Sequence, residues 1–276
     1  MQWTLLLLPA VVYLGFIYLY PLFRMLKLSL FDPCFTLDHF KKIFDISAYM
    51  KVMGLTFEIS FAVTFICLIL GYLIAYLLSH VSTKTMNLLM IFVIIPFWTS
   101  MLVRTYAWMV ILGRRGIINQ LLLGVGLVDN PLKMIHNTFG VYVGMVHILL
   151  PYMILPIYSV MKGIDKNLVS AAQSLGANPA KSFTKVFLPL SLPGVAAGII
   201  LVFILALGFF ITPALLGGLT NVMISMLIER HVNELLNWGF ASALGIVLLG
   251  LTIIVFVVFK HVSKWLHLEG SEGALI

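Results

Sequence analysis

The sequence predicts an all-α polytopic membrane protein, and three observations predict it. First, 62% of its 276 residues are hydrophobic and only 10% are charged, with a mean hydropathy of +1.10. No soluble fold has an interior large enough for that much apolar surface, so the bilayer is its solvent. Second, runs with few or no charges fall roughly at Trp3–Phe23, Val52–Ser79, Thr85–Val103, Thr138–Met161, Val186–Phe210 and Leu235–Phe259. Each meets the length of about 20 residues that a hydrocarbon core requires, which gives about six transmembrane helices. Third, these runs are continuously apolar rather than alternating. Backbone groups in lipid must be satisfied within the segment, so the runs are helices and not strands of a barrel.

Taken in order, the first run lacks a basic start and a small-residue cleavage site, which predicts an uncleaved anchor. The loop Phe31–Met50, with Asp32-Pro33, Asp38-His39 and Lys41-Lys42, is expected to hold a short interfacial helix. The second and third spans are joined tightly through His80–Asn87, and short connections favour antiparallel neighbours. Gly71, Ala75 and Ser79 form a small-residue row that permits close helix contact, although such residues are also common in membrane helices generally. Pro96 is expected to bend the third span, because proline removes a helix hydrogen bond. The region Gly113–Asn137 reads as a turn and then a short surface helix over Ile118–Leu127. Pro151 and Pro156 in the fourth span either shape its packing or open a cavity lined by freed carbonyls. The run from Val186 to Ile228 is too long for one span. Pro213 and Gly217-Gly218 divide it, leaving an irregular or interfacial second half. The tail after Lys264 is short and polar. Cys34 and Cys67 give no disulfide framework, and Cys67, in mid-span, reads as a small buried hydrophobe. No soluble domain or low-complexity linker interrupts the chain, so residues 1–276 read as a single transmembrane domain.

One polar stretch, about 162–188, stands apart. Leu168, Ala171, Ala172 and Leu175 fall at i, i+3, i+4 and i+7, the apolar stripe of a short amphipathic helix. Asp165 can cap its start, and Gly176 suits the left-handed position just past its end. Asn178-Pro179 is a second start, a cap followed by proline at the first helical position. Two short helices should therefore meet at an angle around Gly176. This stretch, with Phe183 and Leu188-Pro189, resembles the "EAA" loop of ABC importer permeases, with Ser170 standing where that motif has its glutamate. The resemblance implies a cytoplasmic coupling helix between spans 4 and 5 that docks on an ATPase through Leu168, Ser170, Ala171, Ala172, Leu175, Gly176, Phe183 and Pro189.

Three further blocks are similar to the spermidine/putrescine-type branch of those permeases. They are Pro96-Phe97-Trp98-Thr99-Ser100 with Val103-Arg104-Thr105-Tyr106-Ala107-Trp108; Leu149-Leu150-Pro151-Tyr152-Met153 with Pro156-Ile157-Tyr158; and Leu215-Leu216-Gly217-Gly218 with Asn237-Trp238-Gly239-Phe240. The resemblance runs over most of the chain. It implies a bacterial inner-membrane permease subunit with three protein partners: an ABC ATPase dimer, a second permease subunit and an extracytoplasmic solute-binding protein. It implies a polyamine-like cationic solute, while the same branch also serves opines and amino-acid derivatives. The chain carries no Walker motif, so no cofactor is expected on it, and ATP with Mg belongs on the partner ATPase. HExxH, Cys-x-x-Cys and Ser/His/Asp patterns are also missing from the sequence.

The net charge of +7 does not mark a nucleic-acid protein, because the basic residues are scattered between spans rather than gathered in a stripe. Orientation from charge is unhelpful. Placing both termini inside leaves Arg24, Lys27, Lys41, Lys42, Lys51, Arg104, Arg114, Arg115, Lys133 and Arg230 outside, against the positive-inside rule. The resemblance nevertheless fixes the Ser170–Pro189 loop in the cytoplasm, and with it the termini.

Several residues suit a solute pathway. Trp98, Tyr106, Trp108 and Tyr152 are aromatics with a polar handle, fit either for a cation-π path worth about 0.5–2 kcal/mol per contact or for an interfacial belt. Glu58 is the one carboxylate well inside a run. It either meets an incoming cation or pairs with Arg104, since an unpaired charge at a span centre costs on the order of 2.5–3.5 kcal/mol. His147 lies in the fourth span, either bonding a neighbouring helix or touching a ligand. A reading from another class is a membrane-embedded enzyme with Glu58 and His147 as an acid/base pair.

Overall fold

The computed structural model describes residues 2–31 and 34–265. Asp32-Pro33 and the tail after residue 265 lie outside the described residues. In chain order the helices are α1 (Gln2–Leu30), α2 (Asp38–Asp45), α3 (Ser47–His80), α4 (Thr83–Trp98), α5 (Met101–Leu112), α6 (Ile117–Gly124), α7 (Thr138–Gly163), α8 (Lys166–Ser174) and α9 (Pro179–Ser182). A π-helical turn, Phe183–Phe187, leads into α10 (Leu188–Leu207), followed by α11 (Ile211–Leu216), α12 (Ile224–Asn233) and α13 (Trp238–Trp265). No strand occurs among the described residues; Phe31 and Phe35 form an isolated bridge. The expected all-α class is the observed one. Among the described residues, 5 helices are long and apolar enough to cross a membrane, and 6 crossings result if the bent pair 83–98 and 101–124 is one span.

That bent pair departs from the expected third span. Helix α4 is continuous through Pro96 to Trp98, and the chain turns by 103° at the break after it. Thr99 and Ser100 carry the turn with extended backbone. The Thr99 hydroxyl and amide both donate to the Pro96 carbonyl, at 3.0 and 3.3 Å. Side-chain hydroxyls that bond the preceding carbonyl compete with the helical ladder. In α7, by contrast, the helix is continuous through both Pro151 and Pro156.

The chain divides into two compact units, residues 1–54 with 223–253, and residues 55–222 with 254–276. In the second unit the core is built on α7, of which Val141, Met145, Leu149, Met153 and Ile157 are all buried. Helix α10 packs along it through glycines. A β-carbon added at Gly194 would stand 2.9 Å from the Pro156 carbonyl oxygen, and Gly71 of α3 abuts Met153. The expected small-residue row is thus used for close contact at Gly71, and Ala75 is fully buried. Polar ties hold the same unit. The Tyr72 and Ser191 hydroxyls lie 3.0 Å apart, Thr105 and Thr212 3.2 Å, and Asn221 donates to Thr138 at 2.7 Å. Such bonds are favourable in a medium that offers polar groups no water. Cys67 is buried, as expected.

In the first unit, Phe240 gathers Tyr49, His39 and His231 at ring-centroid distances of 5.1, 6.1 and 4.6 Å. The predicted interfacial helix is α2. The predicted surface helix is α6, anchored by buried Asn119, whose amide donates to the Gly113 and Leu132 carbonyls.

Candidate functional site

Local sequence signals shape the polar segment between α7 and α10. The Asp165 carboxylate accepts the Asn167 amide at 2.9 Å and starts α8. The helix ends in a Schellman motif. Gly176 takes φ +90°, its amide donates to the Gln173 carbonyl, and the Ala177 amide donates to Ala172. The Asn178 side chain then accepts the Lys181 amide at 2.8 Å, with Pro179 at the first position of α9.

The apolar stripe of α8 faces outward. Leu175 is 90% exposed and Leu168 48%, Ala171 is exposed and Ala172 half-buried. Leu175 therefore takes no part in the core of its own chain. Ser170 lies on the opposite side of the helix, where it lines a cavity of about 530 Å³ together with His80, Tyr158, Lys162, Gln173 and Phe183. Phe183 points back into the bundle. Its ring meets Tyr76 edge-on at 5.6 Å and Tyr72 at 6.4 Å, fastening the segment to the end of α3. Pro189 is exposed on α10, two residues past the π turn.

The expectation of two short helices holds only at the first. From Pro179 the chain stays helical through the π turn into α10, ending at Leu207, so the second start is the start of the span itself.

A second group lies where α5 meets α7. Trp108 stands edge-on to His147 at 5.5 Å between centroids, and Phe97 lies 4.8 Å from Tyr152. Arg104 is within electrostatic reach of both His147 and Tyr152. The structure thus gathers Arg104, Trp108 and Tyr152 and adds His147 and Phe97. It leaves Trp98 (88% exposed, at the bend) and Tyr106 (53% exposed) facing out of this chain.

Glu58 is exposed and acts electrostatically on Tyr142, not on Arg104. Among the described residues no ion pair joins it to Arg104, and no hydrogen bond joins it to His147, whose Nδ1 is unbonded. An acid/base pair of Glu58 and His147 has no geometric basis. Tyr142 was missed from the sequence because nothing in an apolar run tells which residue of another helix will stand opposite.

This fold, with its aromatic seam and exposed short helix between two spans, is that of a multi-pass membrane protein. The family model described as "Binding-protein-dependent transport system inner membrane component" matches residues 67–268. The chain is 36% identical to the spermidine/putrescine transport system permease protein PotB of Haemophilus influenzae, over 84% of this chain and 81% of that one. It is 35% identical to PotB of Escherichia coli K12, over 84% of each. In solved structures it resembles a chain of a bacterial alginate ABC transporter in complex with an alginate pentasaccharide-bound periplasmic protein. There the TM-score is 0.75 at 20% identity, covering 95% of this chain and 94% of that one. The chain therefore belongs to the family of inner-membrane components of binding-protein-dependent transport systems, as a multi-pass translocation component.

Proposed function

We propose that this chain is a permease subunit of an ATP-driven ABC importer that moves a polyamine-like cationic solute inward. The observation that carries the reading is the likeness, over most of both chains, to spermidine/putrescine permeases. In this reading α8 is the cytoplasmic coupling helix, and its partners are an ABC ATPase dimer, a second permease subunit and an extracytoplasmic solute-binding protein. The chain itself binds no cofactor; ATP and Mg sit on the ATPase.

The geometry supports a mechanism in steps. Leu175 and Leu168 enter an apolar groove of the ATPase, where one fully buried leucine contributes about 1.5–3 kcal/mol. ATP binding closes the ATPases and carries α8 with them. Because helix continues from Pro179 to Leu207, the motion passes directly into the span. The spans then move as rigid bodies and exchange outward for inward access. Glu58 supplies a negative charge for the incoming cation, and Trp108 and Tyr152 offer ring faces that hold it weakly enough to let it go.

The test is reconstitution of the chain with its second permease, ATPase and binding protein in lipid vesicles. ATP-dependent uptake of labelled putrescine or spermidine is the expected result. A native binding protein that copurifies with a ligand carrying no amine would overturn the choice of solute.

A further inference from the structure

Four apolar helices end or begin at one place. Helix α3 ends at His80, α4 begins at Thr83, α7 ends at Gly163, and the long helix to Leu207 begins at Pro179. The cavity of about 530 Å³ lies among these ends, with α8 as one wall. Where spans end, hydrocarbon gives way to the polar interface, so the cavity stands at the level of the lipid headgroups.

Its lining is divided by polarity. Val81, Met86, Ile164 and Phe187 are apolar, while His80, Lys162, Ser170 and Gln173 are polar. The Lys162 ammonium is held over the Tyr158 ring, 5.9 Å from its centroid. No carboxylate lines the cavity among the described residues. The surrounding stretches, 76–90 and 158–190, add Lys84, Lys166, Lys181 and Lys185 against a single acid, Asp165. That carboxylate is engaged in the cap of α8, where it accepts the Asn167 amide. A free inorganic anion would satisfy the lysine and leave the apolar wall facing water. An anionic amphiphile suits both halves, the cavity is of ligand size, and basic pockets between span ends suit phosphate headgroups. A zwitterionic headgroup suits it less, because its own ammonium would stand close to Lys162.

We propose that this cavity binds the phosphodiester headgroup of an anionic glycerophospholipid. Lys162 is its counter-ion, and Ser170 and Gln173 donate hydrogen bonds to its oxygens. The apolar wall takes the first part of an acyl chain. The lipid then joins α8 to the ends of α3 and α7, so the seating of the short helix depends on the lipid around it. The site does not depend on which solute the chain moves.

The experiment purifies the full-length chain in a neutral detergent and titrates it with phosphatidylglycerol, phosphatidylcholine or inorganic phosphate. Retained lipid is counted by native mass spectrometry, and the melting temperature is read in parallel. Phosphatidylglycerol should be retained and should raise the melting temperature; the other two should do neither. Lys162→Met keeps the stem and removes the charge, Ser170→Glu puts a carboxylate into the cavity, and Lys162→Arg keeps the charge. The first two should each weaken retention at least about 5-fold, the effect of one lysine near an anionic surface, and the third should retain it. Lys260→Met, on an exposed residue of α13 outside the lining, is the control and should behave as wild type. The lipid-free melting temperature of each variant separates misfolding from lost binding, and either weakened variant suffices. Equal retention of phosphatidylglycerol by the wild type and Lys162→Met overturns the proposal. So does an equal loss in Lys260→Met, which would show adsorption to general surface charge. Protection by inorganic phosphate as strong as that by phosphatidylglycerol would show a free-anion site and overturn the lipid assignment, as would equal retention of phosphatidylcholine.

Discussion

Gly198 of α10 lies directly on Met153 of α7: a β-carbon at 198 would stand 2.7 Å from the methionine sulfur and 3.2 Å from its carbonyl oxygen. A β-carbon at Gly71 of α3 would stand 2.7 Å from the Cγ of the same side chain, so Met153 is clasped between two glycines on two other helices. Four residues earlier on α10 the contact is less forgiving, because at Gly194 the near atoms are the Pro156 carbonyl oxygen and Ile157 Cα, at 2.9 and 3.0 Å. Backbone cannot swing aside as a thioether can. Gly194→Ala should lower the thermal stability of the purified protein by about 1–3 kcal/mol, and Gly198→Ala by less. Gly163→Ala, where nothing lies within 4 Å, is the control and should change little.

The α8 stripe should matter to partners and not to the fold. Leu175 is 90% exposed, so Leu175→Ala removes almost no burial within the chain. It should leave membrane level and thermal stability unchanged while weakening ATPase capture by about 2 kcal/mol, or roughly 30-fold. Ser170→Ala, on the cavity side, should weaken it far less. Equal losses from the two changes, measured by copurification, would contradict the outward-facing stripe as the docking surface.

Gly176 tests the turn itself. Nothing stands within 4 Å of its would-be side chain, so the cost of substitution is purely conformational. Val at φ +90° is strained by at least about 1–2 kcal/mol, whereas asparagine visits that region readily. Gly176→Val should insert normally yet uncouple ATP hydrolysis from transport, and Gly176→Asn should transport. Similar behaviour of the two variants would remove the turn from the coupling argument.

The sequence leaves two roles open for Glu58, and the geometry bears on one of them. Glu58 forms no ion pair with Arg104, so Glu58→Gln should leave thermal stability unchanged, and adding Arg104→Gln should rescue nothing. Uptake of a multivalent amine should nevertheless fall several-fold, on the order of the 1 kcal/mol that one partly screened charge contributes. Destabilisation by Glu58→Gln, relieved in the double variant, would show that the two charges are coupled after all.

His231, on α12, predicts a pH dependence. Burial, and then the neighbouring Arg230 charge, hold its pKa below the ordinary histidine value. The folded protein therefore favours neutral imidazole, and the unfolded chain takes up the proton first. Stability from this site is fully present above about pH 6.5. It is lost as pH falls below that value towards the lowered folded pKa. Replacing His231 with Phe, against Phe240 at 4.6 Å, should flatten the stability profile between pH 7 and 5 by about one proton's linkage. An unchanged slope would show that other groups set it.

What the sequence disclosed was what local chemistry determines. The Asp165 cap, the left-handed Gly176 and the Asn178-Pro179 start each act within a turn of themselves, and each stands where it was expected. Span existence was also legible, because apolar length is a property of the segment alone. The turn at Thr99-Ser100 was expected at Pro96, since proline is the louder signal and paired hydroxyls the quieter one. The unbroken helix through Phe183–Phe187 was hidden for the same reason. Pro189 reads as a break, yet it falls just past a π turn, where the Leu188 amide bonds the Phe183 carbonyl five residues back. Facing was not legible at all. Whether Glu58 meets Arg104 or Tyr142, and whether Phe183 points out or in, depends on helix rotation, and an almost uniformly apolar run carries no periodicity from which to read it.

The continuity of the Pro179–Leu207 helix has a mechanical consequence. At 1.5 Å per residue its 29 residues make a rod about 43 Å long. Tilting such a rod by roughly 5° about its surface end displaces its far end by about 4 Å, close to the width of a methylene chain. A hinge between α9 and α10 would absorb that tilt before it reached the solute. The π turn instead inserts extra backbone without interrupting the rod, and it rotates the residues beyond it relative to those before it. Angular travel at one end of the rod is thereby amplified along its length, and one residue deleted from Phe183–Phe187 would turn the far half of the rod by about 100° on its own axis.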